Sequence, residues 1–124
     1  MTMTAVKTKT FPDLMLVRAA ETVAHSPEPG LSRRILAHNE SMMLIEHSME
    51  QGWVGTRHSH PHDQMVYVIR GKLRFSCGAE TFEASAGDSF VLRGGIEHQG
   101  MALEPSLVLD VFTPCREDYL PERG

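Results

Sequence analysis

The chain lacks any apolar run near the ~18–20 residues that a membrane-spanning helix requires, so we expect no membrane partner. Its first residues also lack the apolar stretch of a secretory signal peptide, which favours a cytoplasmic location. Basic clusters are absent and the net charge is -4, which argues against nucleic acid as a partner. The sequence shows neither internal repeats nor a low-complexity tract.

Cysteine is scarce. Cys77 and Cys115 are the only two, and neither lies in a spacing typical of zinc ligands. Two cysteines in an intracellular chain are more often free thiols than a disulfide, so we expect free thiols.

The chain does contain enough apolar material for one domain, since 41% of its 124 residues are apolar and 23% are charged. We interpret residues 1–30 as an N-terminal extension and residues 31–124 as the main domain. Within the extension, residues 14–24 form either a short helix or a strand that crosses to a partner subunit. Residues 26–30 contain two prolines and a glycine, which is typical of a turn.

From residue 31 onward, short strand-like segments alternate with turn residues at roughly 8–12-residue spacing. The predicted strands cover residues 33–38, 41–49, 56–60, 64–70, 72–76, 80–84, 89–92, 99–102 and 106–112. This pattern predicts an all-β fold, a jelly-roll barrel of short antiparallel strands whose mouth can hold one small ligand. The tail, residues 114–124, is predicted to be irregular or weakly helical.

Three histidines and a glutamine form the most informative pattern in the chain. His58 and His60 are separated by one residue on an extended segment, so their side chains point to the same side. Gln64 can add an amide oxygen after Pro61 ends that strand, and His98 can add a third imidazole from a later strand. Imidazole suits zinc, copper, iron and nickel, so the pattern predicts a transition-metal site with open positions for substrate or water.

Nearby residues leave alternatives open. Gln64 could hydrogen-bond a ligand instead of binding the metal. His62 lies in the turn after Pro61 and is expected to be exposed or to support the ligands. Asp63 is the alternative carboxylate ligand, but on a regular strand it faces away from Gln64. Three further histidines have no partner pattern and are interpreted as structural or surface residues: His25, His38 and His47.

The glycine and histidine spacing from Gly52 to Gly71 resembles the first motif of the cupin family, with Gln64 where the family usually has Glu. Residues 87–98 resemble the second motif, with Arg93 where Pro is usual. The resemblance covers about residues 41–112 and implies a cupin double-stranded β-helix. It also implies one divalent transition metal per chain, held by His58, His60, Gln64 and His98.

Gln64 affects the expected chemistry because an amide, unlike glutamate, does not offset the charge of the metal. The site should therefore be a stronger Lewis acid, which favours non-redox work such as polarising substrate oxygens. The ligand set leaves the metal open among zinc, nickel, manganese, iron and copper.

Asp110 is the one charged residue in the apolar strand 106–112, which is expected to be buried on both faces. A buried carboxylate costs several kcal/mol unless it is paired or functional. Arg116 is the expected partner across the turn at Pro114. Asp110 is then either structural, paired with Arg116 or the backbone, or a general acid or base at the pocket wall.

The segment from Asp110 to Asp118 resembles the tail of small cupins similar to the pectin-degradation protein of KdgF type. Members of that group convert 4,5-unsaturated uronates to the linear keto form. The resemblance implies an acid/base role for Asp110, substrate binding by Phe112, and both catalytic and carboxylate-binding roles for Arg116.

The leading hypothesis is therefore a metal-dependent, isomerase- or lyase-like enzyme whose substrate is a small, carboxylate-bearing sugar. The alternatives are an iron-dependent cupin dioxygenase and a non-catalytic sensor that binds a small molecule. We also expect a homodimer, because residues 1–30 are apolar enough to cover a sheet edge of a second subunit.

Overall fold

The computed structural model describes residues 9–11 and 13–121, which form mainly β-strands. The strands are β1 (Lys9–Phe11), β2 (Leu14–Leu16), β3 (His25–Glu28), β4 (Leu31–His38), β5 (Met43–Met49), β6 (Asp63–Arg70), β7 (Lys72–Cys77), β8 (Glu80–Ser85), β9 (Ser89–Leu92), β10 (His98–Ala102) and β11 (Ser106–Thr113). Two short 3-10 turns cover Ala19–Glu21 and Glu117–Tyr119. Within the described ranges, we find no helix of the length and apolarity needed to cross a membrane.

Two antiparallel sheets form the barrel. The larger has the order β3-β4-β5-β11-β6-β9 and the smaller the order β10-β7-β8, while β1 and β2 pair separately. Strands from distant parts of the chain are thus neighbours, because β11 lies between β5 and β6. The predicted all-β jelly roll is confirmed.

Some elements predicted from the sequence have different boundaries in the structure. Residues 56–60 do not form a regular strand; instead, His58 makes an isolated bridge with His98. Residues 14–24, expected to form one short helix or strand, divide into β2 and a 3-10 turn. The turn predicted at residues 26–30 is shorter, because most of it belongs to β3, which pairs with β4. The predicted part of the tail beyond residue 121 lies outside the described residues.

The core follows from the alternation of side chains along the strands, because one face of each sheet points into the barrel. One buried cluster fills the space between the sheets and contains Leu31, Met49, Val66, Val68, Leu73, Ala84, Ala102 and Val108. A smaller one lies beside the C-terminal tail and contains Met43, Ile45, Phe112 and Cys115. A cavity lies between the two sheets and is lined by members of both clusters.

The β11 strand is buried on one face and half-buried on the other, rather than buried on both. Val108 and Phe112 point inward and are almost fully buried. Leu107, Leu109 and Val111 lie on the opposite face and remain half-buried, because the outer face of the sheet is open in this chain.

Both cysteines are free thiols, as predicted. Cys115 is buried in the cluster beside the tail, and this burial raises the pKa of its thiol. We therefore expect Cys115 to act as a small apolar side chain in the core.

Candidate metal centre and cavity

The backbone brings the three predicted histidine ligands together. His58 and His98 exchange two backbone hydrogen bonds, of 3.0 Å and 2.8 Å, across the isolated bridge. The ring centroid of His60 lies 4.8 Å from that of His98. One ring nitrogen from each of the three residues can be chosen such that all lie within 4.8 Å of one another. This triad could hold a metal ion, although its members come from segments forty residues apart in the chain.

Hydrogen bonds to the main chain fix the orientation of each ring. The Nδ1 atoms of the three histidines lie 2.7 Å, 3.0 Å and 3.0 Å from the carbonyl oxygens of Thr56, His62 and Ile96, respectively. A carbonyl only accepts, so each neutral ring carries its proton on Nδ1. The Nε2 atom of each ring then keeps its lone pair, which is the form that binds a metal.

Burial favours the neutral form of the two inner ligands. Burial lowers the pKa of His60, and the positive charge of Arg116 lowers it further. Burial is also the main cause that lowers the pKa of His98. The Nε2 atom of His98 is buried and has no hydrogen-bond partner among the described residues. A bound cation would satisfy that lone pair.

Gln64 completes the donor set. Its Oε1 atom lies 3.1 Å from Nε2 of His60, and its Nε2 group donates a 2.8 Å hydrogen bond to Oδ1 of Asp110. With the His60 proton on Nδ1, the 3.1 Å contact joins two acceptors, an arrangement that a cation between them would make favourable. Three imidazole nitrogens and one amide oxygen fit a divalent transition metal.

Gly94 lets the loop before His98 pass close to the loop between His60 and β6. Gly94 approaches the Pro61 carbonyl so closely that a Cβ atom would clash with it. The amide of Gly94 donates a 2.8 Å hydrogen bond to Asp63, whose side chain is exposed and, as expected, faces away from Gln64. The ring centroid of His62 lies 5.6 Å from that of His60.

Asp110 is 3% exposed, and each of its carboxylate oxygens has a side-chain partner. Oδ2 lies 2.6 Å from Nδ1 of His47, and Oδ1 accepts the hydrogen bond from Gln64. The expected partner, Arg116, instead donates from Nε and Nη2 to Asp118 at 3.0 Å and 2.8 Å. The prediction of an Asp110–Arg116 pair was therefore wrong, because the 3-10 turn after Arg116 brings Asp118 next to its guanidinium.

The hydrogen bonds to Asp118 raise the pKa of Arg116, even though burial, the largest single effect, acts in the opposite direction. The same pair lowers the pKa of Asp118. The Arg116 guanidinium lies 5.1 Å from the centre of the Phe112 ring and 4.1 Å from that of Tyr119. Arg116 is therefore a buried cation beneath two aromatic rings.

His47 is a site residue that sequence reasoning assigned to structure or surface. It is buried, and Arg33 donates a 3.0 Å hydrogen bond from Nε to its Nε2 atom. Because Nε2 accepts, the proton of the neutral ring is on Nδ1 and is donated to Asp110. A signal for its inward position exists in the sequence, since it shares the alternating inner face of β5 with Met43, Ile45 and Met49.

The cavity next to the triad has a volume of about 190 Å³. Its lining includes two metal-site histidines and the polar network: His58, His98, Gln64, Asp110, His47 and Arg33. Phe112 and Tyr119 form part of its apolar wall. Burial raises the pKa of the Tyr119 hydroxyl. A small molecule in this cavity would lie against both the triad and Asp110.

Comparisons with known proteins agree with this architecture. Residues 45–112 match the cupin domain model. The chain is 30% identical over 93 residues to the pectin degradation protein KdgF of Dickeya dadantii strain 3937, covering 73% of this chain and 84% of that protein.

Two solved structures have similar folds. KdgF from Halomonas sp. is 38% identical with a TM-score of 0.80, covering 85% of this chain and 97% of that one. An RmlC-like cupin from Shewanella frigidimarina NCIMB 400 is 27% identical with a TM-score of 0.81, covering 85% of this chain and 95% of that one. The barrel, the matched domain and these relatives show that the chain belongs to the cupin family.

Proposed function

We propose that the protein is a metal-dependent enzyme that converts a 4,5-unsaturated uronate, a small acidic sugar, to its linear keto form. The observation that carries the proposal is that Gln64 contacts both the histidine triad and Asp110. Its amide oxygen lies beside the histidine triad while its amide nitrogen holds Asp110 in the same cavity. Similarity to two KdgF proteins, one named for pectin degradation, supports the substrate class.

The proposed cofactor is one divalent transition metal per chain, held by His58, His60, Gln64 and His98. Zinc, nickel, manganese, iron and copper all suit this ligand set. When bound, the ion supplies a Lewis acid that polarises an oxygen atom of the substrate. All four proposed ligands are neutral, so they leave the full charge of the ion available for this polarisation.

Asp110 is the proposed proton carrier. Opening a cyclic hemiacetal releases an enol, which becomes a ketone when one proton leaves oxygen and another is added to carbon. The conversion is an isomerisation, so it requires proton transfer but no oxidant. Asp110 lines the cavity, and its two hydrogen-bond donors hold the carboxylate in place for that transfer.

Phe112 and Arg116 are the proposed substrate-binding residues, and Arg116 also has a proposed catalytic role. Phe112 contributes an apolar surface to the cavity wall. Two nitrogens of Arg116 hold Asp118, so the role in binding a carboxylate falls to Nη1, which is buried without a partner among the described residues. Arg116 thus offers one N–H group and a positive charge rather than a free bidentate fork.

The test is the loss of absorbance of a 4,5-unsaturated uronate mixed with the metal-loaded protein. We expect turnover by the wild type and a loss of most of it, on the order of a hundredfold or more, in Asp110→Asn, because general acid–base catalysis contributes that much. Metal content should stay near that of the wild type, since the three histidines are intact. Asp88→Asn, an exposed turn carboxylate, is the matched control and should remain active.

Other outcomes of the same assay assign other functions. A fully active Asp110→Asn protein would refute the proton-carrier role. Iron-dependent oxygen uptake would indicate a dioxygenase, and ligand binding without turnover would indicate a sensor.

We further propose that the protein is a cytoplasmic homodimer in which residues 1–30 form an extension to the barrel. Several apolar side chains on the outer face of the larger sheet are exposed, among them Met65, Tyr67 and Val91. Exposed apolar groups on neighbouring strands are typical of an interaction surface, which supports the dimer.

A further inference from the structure

A second guanidinium, that of Arg33, lines the cavity itself. Arg33 lies on β4, and its Nε group donates the 3.0 Å hydrogen bond to His47. Its guanidinium carbon lies 3.7 Å from the centre of the Tyr119 ring, which places the group against an aromatic surface. These two contacts hold the planar group in a defined orientation.

The remaining donors of Arg33 are unused. Neither Nη1 nor Nη2 has a hydrogen-bond or ion-pair partner within the described part of the chain. The neighbouring Arg34 differs, because its Nη1 group donates to Thr22 and its Nε atom lies 3.6 Å from Glu46. Arg33 is therefore the arginine on the cavity wall that keeps both terminal N–H groups available for a ligand.

The acidic groups of the cavity, in contrast, already have donors. Glu28 accepts a 2.6 Å hydrogen bond from the indole of Trp53. Asp110 accepts from His47 and Gln64. Apart from the imidazole nitrogens of the proposed metal site, the unmet hydrogen-bonding capacity of these cavity side chains consists of donors on a cation, which matches an anionic ligand.

We propose that Arg33 supplies the two-donor fork that Arg116 lacks and binds the carboxylate of the acidic substrate through Nη1 and Nη2, a role that rests on the proposed function. A planar fork matches a carboxylate with two parallel hydrogen bonds. The sugar would then extend from Arg33 toward the histidine triad and pass Asp110. The same guanidinium holds His47, so the group that binds the substrate also fixes the partner of Asp110.

The test compares the binding of two sugars, galacturonate and galactose, to the zinc-loaded protein by titration calorimetry. The two sugars differ by the carboxylate, so the wild type should bind galacturonate more tightly. Arg33→Gln should weaken galacturonate binding on the order of tenfold to a hundredfold and leave galactose binding unchanged. Arg34→Gln, the matched control, removes the same charge outside the cavity and should bind both sugars as the wild type does.

Arg33→Lys distinguishes the contribution of the planar two-donor fork from that of the positive charge. It also serves as the second variant if Arg33→Gln does not fold. Lysine keeps the charge but loses the planar fork, so galacturonate binding should be intermediate. Zinc content and the melting temperature show whether each variant keeps the site. Galacturonate binding that is unchanged in Arg33→Gln or Arg33→Lys would overturn the proposal, as would a wild type that does not prefer galacturonate.

Kinetics distinguish the failure of this proposal from failure of the proposed function. With a 4,5-unsaturated uronate, Arg33→Gln should raise KM by a larger factor than it lowers kcat. No turnover by the wild type would refute the proposed reaction, yet the sugar titrations would still test the anion-binding role of Arg33. Turnover with an unchanged KM in Arg33→Gln would overturn the role of Arg33 alone.

Discussion

At the start of β6, a polar side chain points into the barrel and the adjacent apolar side chain points outward, which is the reverse of the usual arrangement. Gln64 points into the barrel and is 9% exposed, whereas the adjacent Met65 is 53% exposed on the outer face. On β11, Asp110 is buried inside while Leu109 is half-buried outside. The polar groups inside support the chemistry proposed for the cavity, and the exposed apolar groups outside support the proposed dimer contact.

The inner polar groups are poor candidates for a purely stabilising role. Replacing a buried hydrogen-bonded pair of polar or charged groups by apolar residues of similar size is often neutral or stabilising, because such groups lose hydration when they are buried. The His47–Asp110 pair has side-chain exposures of 11% and 4%, so it bears this cost. Its presence beside the triad is better explained by the chemistry of the cavity than by the stability of the barrel.

The largest effect is expected from a substitution of His47, which belongs to the polar network on the inner face. His47→Leu removes one donor from buried Asp110, so it should cost about 3 kcal/mol in the free energy of unfolding, because a hydrogen bond to a buried carboxylate is lost. Turnover should fall about 10–100-fold because Asp110 loses one of the two donors that orient it, whereas zinc content should stay near that of the wild type because the three histidines are intact. Chemical denaturation, zinc titration and the uronate assay measure these changes.

His47→Gln should recover part of the loss, since its amide can donate to Asp110. The exposed His25 provides the control, and His25→Leu should match the wild type. Wild-type turnover in His47→Leu would show that the inner network does not support the reaction.

An intermediate effect is expected from pH in the metal-free protein. The folded state lowers the pKa of His60 and His98 from the ordinary value of 6.5, so the unfolded chain binds more protons just below that value. Stability is therefore fully present above about pH 6.5 and is lost as the pH falls toward the lowered pKa values. Each of the two histidines contributes at most about 1.4 kcal/mol per pH unit to this decline in the free energy of unfolding.

The measurement is the free energy of unfolding between pH 8 and pH 5, with the metal removed by a chelator. Because one of the two titrating groups is missing, His98→Asn should show a shallower decline than the wild type. Equal slopes in the two proteins would contradict the assignment of the decline to this ligand.

The smallest effect on activity is expected from the outer face. Tyr67→Glu combined with Val91→Glu places charges on exposed apolar positions of adjacent strands and should convert a dimer to a monomer. Turnover and zinc content should change by less than about twofold, since surface substitutions away from a site usually have small effects. Light scattering reports the mass, and Met42→Glu, an exposed position in a turn, is the control.

A dimer that survives the double substitution but is lost when residues 1–30 are deleted would place the contact in the extension. A wild type that is monomeric would refute the proposed dimer altogether.

Much of the fold could be predicted because its signals are local. Strand alternation and turn residues indicate the barrel, and the spacing of His58 and His60 indicates that their side chains share one side. The inward position of Asp110 also follows from alternation. These features depend on the neighbours of each residue in the chain.

The contacts of Asp110 and Arg116 could not be predicted in the same way. His47 contacts Asp110 because β5 and β11 are adjacent. These two residues are 63 positions apart in the chain, and the local sequence of either strand does not determine their register. The partner of Arg116 depends on the turn geometry after Pro114, and the contact of Arg33 with His47 depends on the register of the hairpin that places β4 beside β5. The pairing of distant strands determines the first contact, whereas the detailed geometry of a turn and the register of a hairpin determine the other two.

The carbonyl contacts of the three histidines have a consequence for protein engineering. Each ring is oriented by a main-chain oxygen two residues away, in the segments Thr56–His58, His60–His62 and Ile96–His98. Orientation is thus a property of a three-residue backbone unit and does not depend on the identity of a distant side chain. A designer could therefore transplant these short units to another antiparallel barrel of matching backbone and remodel the cavity around them while keeping the tautomers unchanged.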